Sequence, residues 1–245
     1  MLNGKKIALG VTGGIAVYKA VDLVSRLRKQ GAEVRVIMTE HAQQFVTPLT
    51  FKEISGNKVA VSMWDSNQEF NVEHIALANW ADAFVVAPAT ANILAKMANG
   101  IADDLLSTTL LAAQAPIIVC PAMNTGMYQN SITQENIEKL QKHGVTVMPP
   151  AVGYLACGVT GPGRLPEPQQ IVEFIDAFFA KKDGDMVGMK VLVTAAGTRE
   201  PIDPVRFVGN RSSGKMGYAI AQAAAQRGAE VLLVTGPSAL EIPPN

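Results

Sequence analysis

The sequence predicts an α/β fold: a doubly wound parallel sheet, followed by the start of a second α/β domain. Three observations predict it. Short apolar runs alternate with amphipathic stretches, the pattern of strands and helices that cover one another. A glycine-rich turn joins the first apolar run to the first amphipathic one. Near residue 189 the opening pattern restarts: "MKVLVTAAGT" echoes "KKIALGVTGG", and "AAAQRGAEVLLVTG" echoes "RLRKQGAEVRVIMT".

The elements follow in order. "KKIALGVT" is a short apolar run of the kind found in strands buried on both faces. In the next stretch Ala20, Leu23, Val24 and Leu27 fall at helical spacing. Arg26, Arg28 and Lys29 occupy its last turn, and Gly31 suits the left-handed position after a helix. "AEVRVIMT" completes a first βαβ unit, whose crossover is expected to be right-handed. A strand "DAFVVAPAT", helices "NILAKMANG" and "DDLLSTTLLAAQ", and a strand "PIIVCPAM" continue the alternation. The helix "SITQENIEKLQKHG" carries Ser131 and Gln134 at capping-box spacing and ends at Gly144. "VTVMPP" closes the sheet. The stretch 151–168, "AVGYLACGVTGPGRLPEP", is rich in Gly and Pro without periodicity and reads as a mobile loop; "PQQIVEFIDAFFAKK" after it is helical. A polar boundary at 181–188 separates a first domain, residues 1–182, from a second, 189–245. The second has about two strands, too little sheet to bury both faces alone, and reads as truncated or docked on something else. The first is Rossmann-like, of the flavodoxin type.

Composition narrows the function. Lys plus Arg and Asp plus Glu number 21 each, with no basic block, so nothing points to nucleic acid. No apolar run approaches a membrane span, and the opening run is too short for a secretory signal. Cys120 and Cys157 make no disulfide framework, Cys120 lies in a strand-like run and is expected to be buried, and His41, His74 and His143 stand apart without metal-ligand spacing. A reducing cytoplasm is the natural compartment.

Four stretches carry chemistry. Gly10, Gly13 and Gly14 lie between a strand and a helix, where glycines let main-chain N–H groups approach an anion; the alternative is tight helix–strand packing. The spacing is not that of a dinucleotide fingerprint, and Thr39 stands where such a fold wants an acid. A hydroxyl there suits a phosphate. Thr90, Ala91 and Asn92 follow a strand end and suit a flat polar ring with an N–C=O edge, or an ordinary N-cap. Asn124, flanked by Met123 and Met127, suits a carboxylate or amide, or a turn. His74 precedes the strand leading to Thr90, and histidine is the side chain type best suited to act as a base at neutral pH. Cys157 on its loop is either an inward-packed hydrophobe or a thiol with a task.

Taken together, "HIALANWAD", "APATAN", "PAMNTGMY" and the Cys157 loop resemble the homo-oligomeric flavin-containing cysteine decarboxylases over residues 4–180. The lettering departs slightly: "PATANI" stands for PASANT, and Tyr128 stands where Trp is often found. "DPVRFVGNRSSGKMG" resembles the opening of the phosphopantothenate–cysteine ligase domain, and that order of domains resembles the bacterial bifunctional proteins of coenzyme A biosynthesis.

The resemblance implies FMN as cofactor and 4′-phosphopantothenoylcysteine as the small-molecule substrate, converted to 4′-phosphopantetheine. The substrate thiol is oxidised to a thioaldehyde, CO2 leaves as electrons flow into sulfur, and the enethiolate is reduced. It implies His74 as base, Asn124 as holder of the substrate carboxylate or amide, and Cys157, on a closing flap, as proton donor. The cofactor residues implied are Gly13, Gly14, Ile15, Thr39, Pro88, Ala89, Thr90, Ala91, Asn92, Ser107 and Met123. Gly126, Met127 and Ala156 join Asn124 in binding substrate. A homo-oligomer is implied, a trimer or a dodecamer assembled from trimers, with His74 facing the FMN of another subunit. For the ligase region the resemblance implies CTP and Mg²⁺, with Asn210 in the acyl-intermediate region. Gly197 lies where nucleotide contacts are reasonable, and Lys215 is a candidate or a plain surface lysine. No ligase activity is expected of this chain alone. Four alternatives stay open: a flavin prenyltransferase, a peptidyl-cysteine decarboxylase, a non-catalytic regulatory flavoprotein and an NAD-binding domain.

Overall fold

A computed structural model describes residues 2–64, 73–154, 158 and 160–242. The chain divides into two compact units, Leu2–Phe174 and Ile175–Asn245.

In the first unit, β1 (Lys6–Val11), α1 (Val17–Lys29) and β2 (Glu33–Met38) form the opening βαβ unit. Helix α1 buries Val17, Ala20, Leu23, Val24 and Leu27 along one face, and Gly31 after it takes the left-handed conformation, φ 86°. Short helices α2 (Glu40–Gln43), α3 (Pro48–Ser55) and α4 (Glu73–Trp80) precede β3 (Ala83–Ala89). Sequence periodicity did not announce these three: two span only eight residues and one four, too short for an amphipathic repeat to show. Then come α5 (Ala91–Asn99), α6 (Leu105–Ala112), β4 (Ile117–Pro121), α7 (Thr125–Gln129), α8 (Ser131–Lys142) and β5 (Thr146–Val147).

The five strands pair in parallel in the order β2-β1-β3-β4-β5. This is the flavodoxin-type order. The chain winds outward from β1 to β2, then returns past β1 to build β3, β4 and β5, so the C-terminal ends of β1 and β3 border a topological switch point. Every residue of β3 is buried, as a central strand covered on both faces requires. Its Phe84 and Val86 share a core with Ile93, Leu106, Val119 and Leu140.

Two local expectations are corrected. The capping box at Ser131 and Gln134 does not form: Asn130 is the N-cap, its Oδ1 accepting from Ile132 N at 3.0 Å, while the Gln134 amide donates to the Tyr128 carbonyl. Ser131 is thereby the first helical residue. The stretch 151–168 is not a plain loop either. Its arms, β6 (Ala151–Tyr154) and β7 (Thr160–Arg164), pair as an antiparallel hairpin. Its glycines serve close packing. A Cβ on Gly163, at φ 127°, would fall 2.3 Å from the Met123 carbonyl oxygen, and one on Gly161 would fall 2.6 Å from Thr125 Oγ1.

Helix α9 (Pro168–Lys182) runs through the division between the units, which falls before the polar stretch 181–188. The second unit holds β8 (Lys190–Ala195), the hairpin β9 (Arg199–Pro201) and β10 (Phe207–Gly209), α10 (Lys215–Gln226) and β11 (Glu230–Thr235). β8 and β11 pair in parallel, so the restart seen in the sequence is a second strand–helix–strand unit. Leu192 and Leu232 lie exposed on this two-stranded sheet, each at 65 %.

Candidate active site

A cavity of about 1080 Å³ opens in the first unit where β1, β3 and β4 end. That is the position at which open α/β sheets take ligands. Its walls come from the turn after β1 (Thr12 to Ala16), the end of β2 (Thr39 to His41), the start of α5 (Thr90 to Ile93), the segment after β4 (Ala122 to Asn124) and the hairpin residues Tyr154, Gly163 and Arg164.

The turn after β1 resolves two jobs for its glycines. A Cβ on Gly13 would fall 2.4 Å from His41 Cβ, so Gly13 is there to let the two loops touch. A Cβ on Gly14 would meet only Thr90 Cγ2, at 3.9 Å, so Gly14 keeps the cavity open. Gly10 belongs to packing alone, since a Cβ there would fall 2.7 Å from Leu106 Cδ1. Helix α1 begins without any side-chain cap; its Val17 N–H donates to the Gly14 carbonyl and its Lys19 N–H to the Ala16 carbonyl, both at 3.0 Å. Thr39 caps α2, its Oγ1 accepting from Ala42 N at 3.3 Å. Its hydroxyl proton remains to be donated, and it lines the cavity.

Thr90 is both N-cap and cavity wall: its Oγ1 accepts from Ile93 N at 3.4 Å. Thr90 thus caps the helix from a place in the cavity wall. Asn124 caps α7, its Oδ1 accepting from Gly126 N at 2.8 Å, and it too lines the cavity. Gly126 lies off the cavity and serves this cap, since a Cβ there would crowd Asn124 Oδ1 at 3.2 Å.

Of the expected cofactor residues, Gly13, Gly14, Ile15, Thr39, Pro88, Thr90, Ala91, Asn92 and Met123 converge on this one cavity, and Asn124 and Met127 join them. Ala89 and Ser107 do not. Ala89 is wholly buried in β3. Ser107 closes a capping box with Asp104 at the start of α6, which uses its hydroxyl. His74 stands half-buried at the second position of α4 and is absent from the cavity walls. Ala156 and Cys157 lie outside the described residues. Cys120 is fully buried in β4, and burial pushes its thiol up to about 12.

Several wall residues escaped sequence reading because their partners are remote. Lys19, 6 % exposed, donates to the Leu165 carbonyl and to Glu167 Oε1, both at 2.9 Å. The Lys19–Glu167 hydrogen bond, with the nearby Arg164, holds Glu167 below the usual carboxylate range, and the two Lys19 bonds fasten the return arm of the hairpin to α1. Lys96 reaches Asp103 Oδ1 at 2.6 Å and Asp104 Oδ2 at 3.3 Å. Burial pulls the Lys96 ammonium down, the two aspartates more than reverse this, and it ends above its ordinary value as a charged wall. The run "LAKMANGIADD" held that signal, a lysine followed by an acidic pair. Among the described residues no group of His, Cys, Asp and Glu is arranged to hold a metal ion, and no helix is long and apolar enough to cross a membrane.

In the second unit Asn210 Oδ1 accepts from Ser212 N at 3.0 Å, and Gly197 lets it approach, since a Cβ there would fall 2.7 Å from that oxygen. Lys215 is exposed at the start of α10.

Comparison with known proteins decides the family. The Flavoprotein family profile matches residues 1–180. The chain belongs to the flavoprotein family. Residues 186–245 of this flavoprotein match the DNA/pantothenate metabolism flavoprotein C-terminal domain. It is 52 % identical over 244 residues to the coenzyme A biosynthesis bifunctional protein CoaBC of Haemophilus influenzae, covering 100 % of the chain and 61 % of that relative. To the CoaBC of Escherichia coli it is 51 % identical over 243 residues, covering 99 % and 60 %. The chain thus spans about 60 % of the length of these relatives. Among solved structures it resembles a cysteine-to-serine mutant of a PPC decarboxylase complexed with pantothenoylaminoethenethiol, at 32 % identity and a TM-score of 0.64, covering 72 % of this chain and 99 % of that one. It also resembles the FMN-dependent cysteine decarboxylase SpaF, at 30 % identity and a TM-score of 0.60, covering 71 % and 96 %.

Proposed function

We propose that this flavoprotein binds FMN and decarboxylates 4′-phosphopantothenoylcysteine to 4′-phosphopantetheine in coenzyme A biosynthesis. The observation that carries the reading is the cavity at the switch point, where an uncapped helix start and the open side of Gly14 meet the Thr90–Asn92 wall. The names of the relatives supply the substrate: CoaBC proteins, and a PPC decarboxylase seen with a pantothenoyl ligand.

The residues present fit FMN. Main-chain N–H groups at Gly14 and Ile15, with the Thr39 hydroxyl, suit a phosphate; the start of α5 suits the polar edge of a flat ring. Bound FMN would supply the reversible two-electron oxidation of the substrate thiol. Asn124 holds the substrate carboxylate or amide. His74 takes the proton in the oxidation and decarboxylation half, and Cys157 returns one to the enethiolate. A thiol near its free pKa of about 8.5 stays protonated at neutral pH and can act as an acid. Because His74 does not line the cavity of its own chain, the reading requires a homo-oligomer, a trimer or an assembly of trimers, in which another copy brings it. It also requires a reducing compartment, the cytoplasm, so that Cys157 stays a thiol.

The bifunctional relatives and the match over 186–245 support a second activity in the whole protein, ligation of cysteine to 4′-phosphopantothenate with CTP and Mg²⁺, with Asn210 in its site. CTP-dependent condensation by this chain alone is not expected. A second reading, decarboxylation of a peptide ending in cysteine, is favoured by the likeness to SpaF and disfavoured by the C-terminal match.

The test is anaerobic incubation of the FMN-loaded chain with 4′-phosphopantothenoylcysteine, following CO2 and product mass. Release of CO2 with formation of 4′-phosphopantetheine is expected. A flavin-loaded protein that releases none, or that acts on a cysteine-ended peptide instead, contradicts the reading.

A further inference from the structure

Thr12 ends the turn's approach from β1 and is 2 % exposed. Its Oγ1 donates to the Pro88 carbonyl at 2.7 Å and accepts from Thr90 N at 3.1 Å. One buried hydroxyl therefore bolts the end of β1 to the end of β3 across the switch point. A helix leaves its first N–H groups without partners inside it. In α5, Ile93 N goes to Thr90 Oγ1 and Leu94 N to the Thr90 carbonyl. The N–H groups of Ala91 and Asn92 are left, and both residues line the cavity. Their direction depends on where Thr90 is held, and Thr12 holds it.

We propose that Thr12 is a positioning residue that sets the start of α5 against the glycine turn, so that the Ala91 and Asn92 donors meet the polar edge of the flavin ring at a fixed distance from the phosphate cradle. The proposal rests on the FMN reading above and extends it to the residue that fixes the spacing of the two subsites. A hydroxyl is required because it must donate and accept at once; Val, of similar shape, does neither. Thr12 acts on the ring side through Thr90, so its loss weakens FMN and riboflavin alike and leaves the preference between them intact.

The test titrates apoprotein with FMN and with riboflavin, reading the change in flavin fluorescence. Thr12→Val is expected to raise both Kd values about tenfold or more, a loss on the order of one hydrogen-bond arrangement. The two factors should agree within about threefold, and Thr12→Ser should lie within about threefold of the wild type. Thr109→Val is the control. Thr109 is fully buried and donates to the Leu105 carbonyl at 2.6 Å inside α6, away from the cavity walls. Its loss should lower the Tm and leave both Kd values in place. Should Thr12→Val not fold, Thr12→Cys against Thr12→Ser, which differ in one atom, carries the same comparison: Cys must bind both flavins more weakly. Wild-type affinities in Thr12→Val, a loss confined to FMN, or equal loosening by Thr109→Val would overturn the proposal. Failure of the wild type to bind either flavin overturns the FMN reading itself, before any variant is compared.

Discussion

Gly13 and Gly14 are neighbours that answer to different demands, and substitution separates them. Gly13→Ala places a methyl 2.4 Å from His41 Cβ and 2.8 Å from the His41 carbonyl carbon, so backbone must move. A loss of about 1–3 kcal/mol in unfolding free energy is expected in urea titration. Gly14→Ala meets nothing nearer than 3.9 Å. It should keep the wild-type midpoint and lose flavin affinity, because its methyl occupies cavity space. Reversed outcomes would show that the cavity faces the other glycine. The two proposed proton carriers separate in the same way. Cys157→Ser should release CO2 and accumulate a product two hydrogens lighter by mass spectrometry; normal product would remove Cys157 from the mechanism. Loss of general acid–base help is worth about 10² to 10⁴ in rate, so His74→Asn should retain yellow colour and lose CO2 release by a factor in that range. Loss of flavin instead would make His74 a binding residue. Cys120 gives a pH dependence. Its folded pKa of about 12 lies above the ordinary 9.0, so the folded state keeps a proton that the unfolded chain gives up. Stability is untouched below about pH 9 and falls as pH rises from there toward 12. Thermal midpoints of Cys120→Ala should fall less between pH 8 and 10.5 than those of the wild type; equal slopes would assign the loss elsewhere.

At the scale of the element, what was legible depended on how local the cause was. Strands β1, β3 and β4 are continuous apolar runs, and α1 repeats apolar residues at helical spacing, so each could be read from its own letters. The start of α8 could not. Asn130 and Ser131 are both good caps, and the tie is broken by α7, which ends just before Asn130, and by Gln134 turning back to the Tyr128 carbonyl. Asn130→Ala should therefore cost about 1 kcal/mol in unfolding free energy, and Ser131→Ala a few tenths at most. The opposite ranking would restore the cap to Ser131. The hairpin was hidden for a similar reason. Its glycines look like loop formers until Met123 and Thr125, distant in sequence, are seen to press on them. The cavity followed the same rule. Its glycine turn and the Thr90 and Asn124 motifs were readable, since strand ends and caps are local signals. Thr12 and Lys19 were not, because they act on Thr90 and Glu167, 78 and 148 residues away.

For the whole molecule, sheet order decides where chemistry can happen. The reversal between β2 and β3 leaves a crevice beside β1, and four separate chain segments and a hairpin bring their polar groups to it. The second unit repeats the strand–helix–strand opening with two parallel strands and one hairpin, matching a C-terminal domain whose relatives run well beyond this chain. The proposed activity therefore depends on the first unit, whose crevice must be a flavin site. Equilibrium titration of the apoprotein with FMN, followed by visible absorbance and flavin fluorescence, tests this most directly. Saturable uptake of one FMN per chain, with weaker uptake of riboflavin and none of NAD, is the result expected. A protein that stays colourless and leaves the FMN signal unchanged at saturating concentration would contradict it.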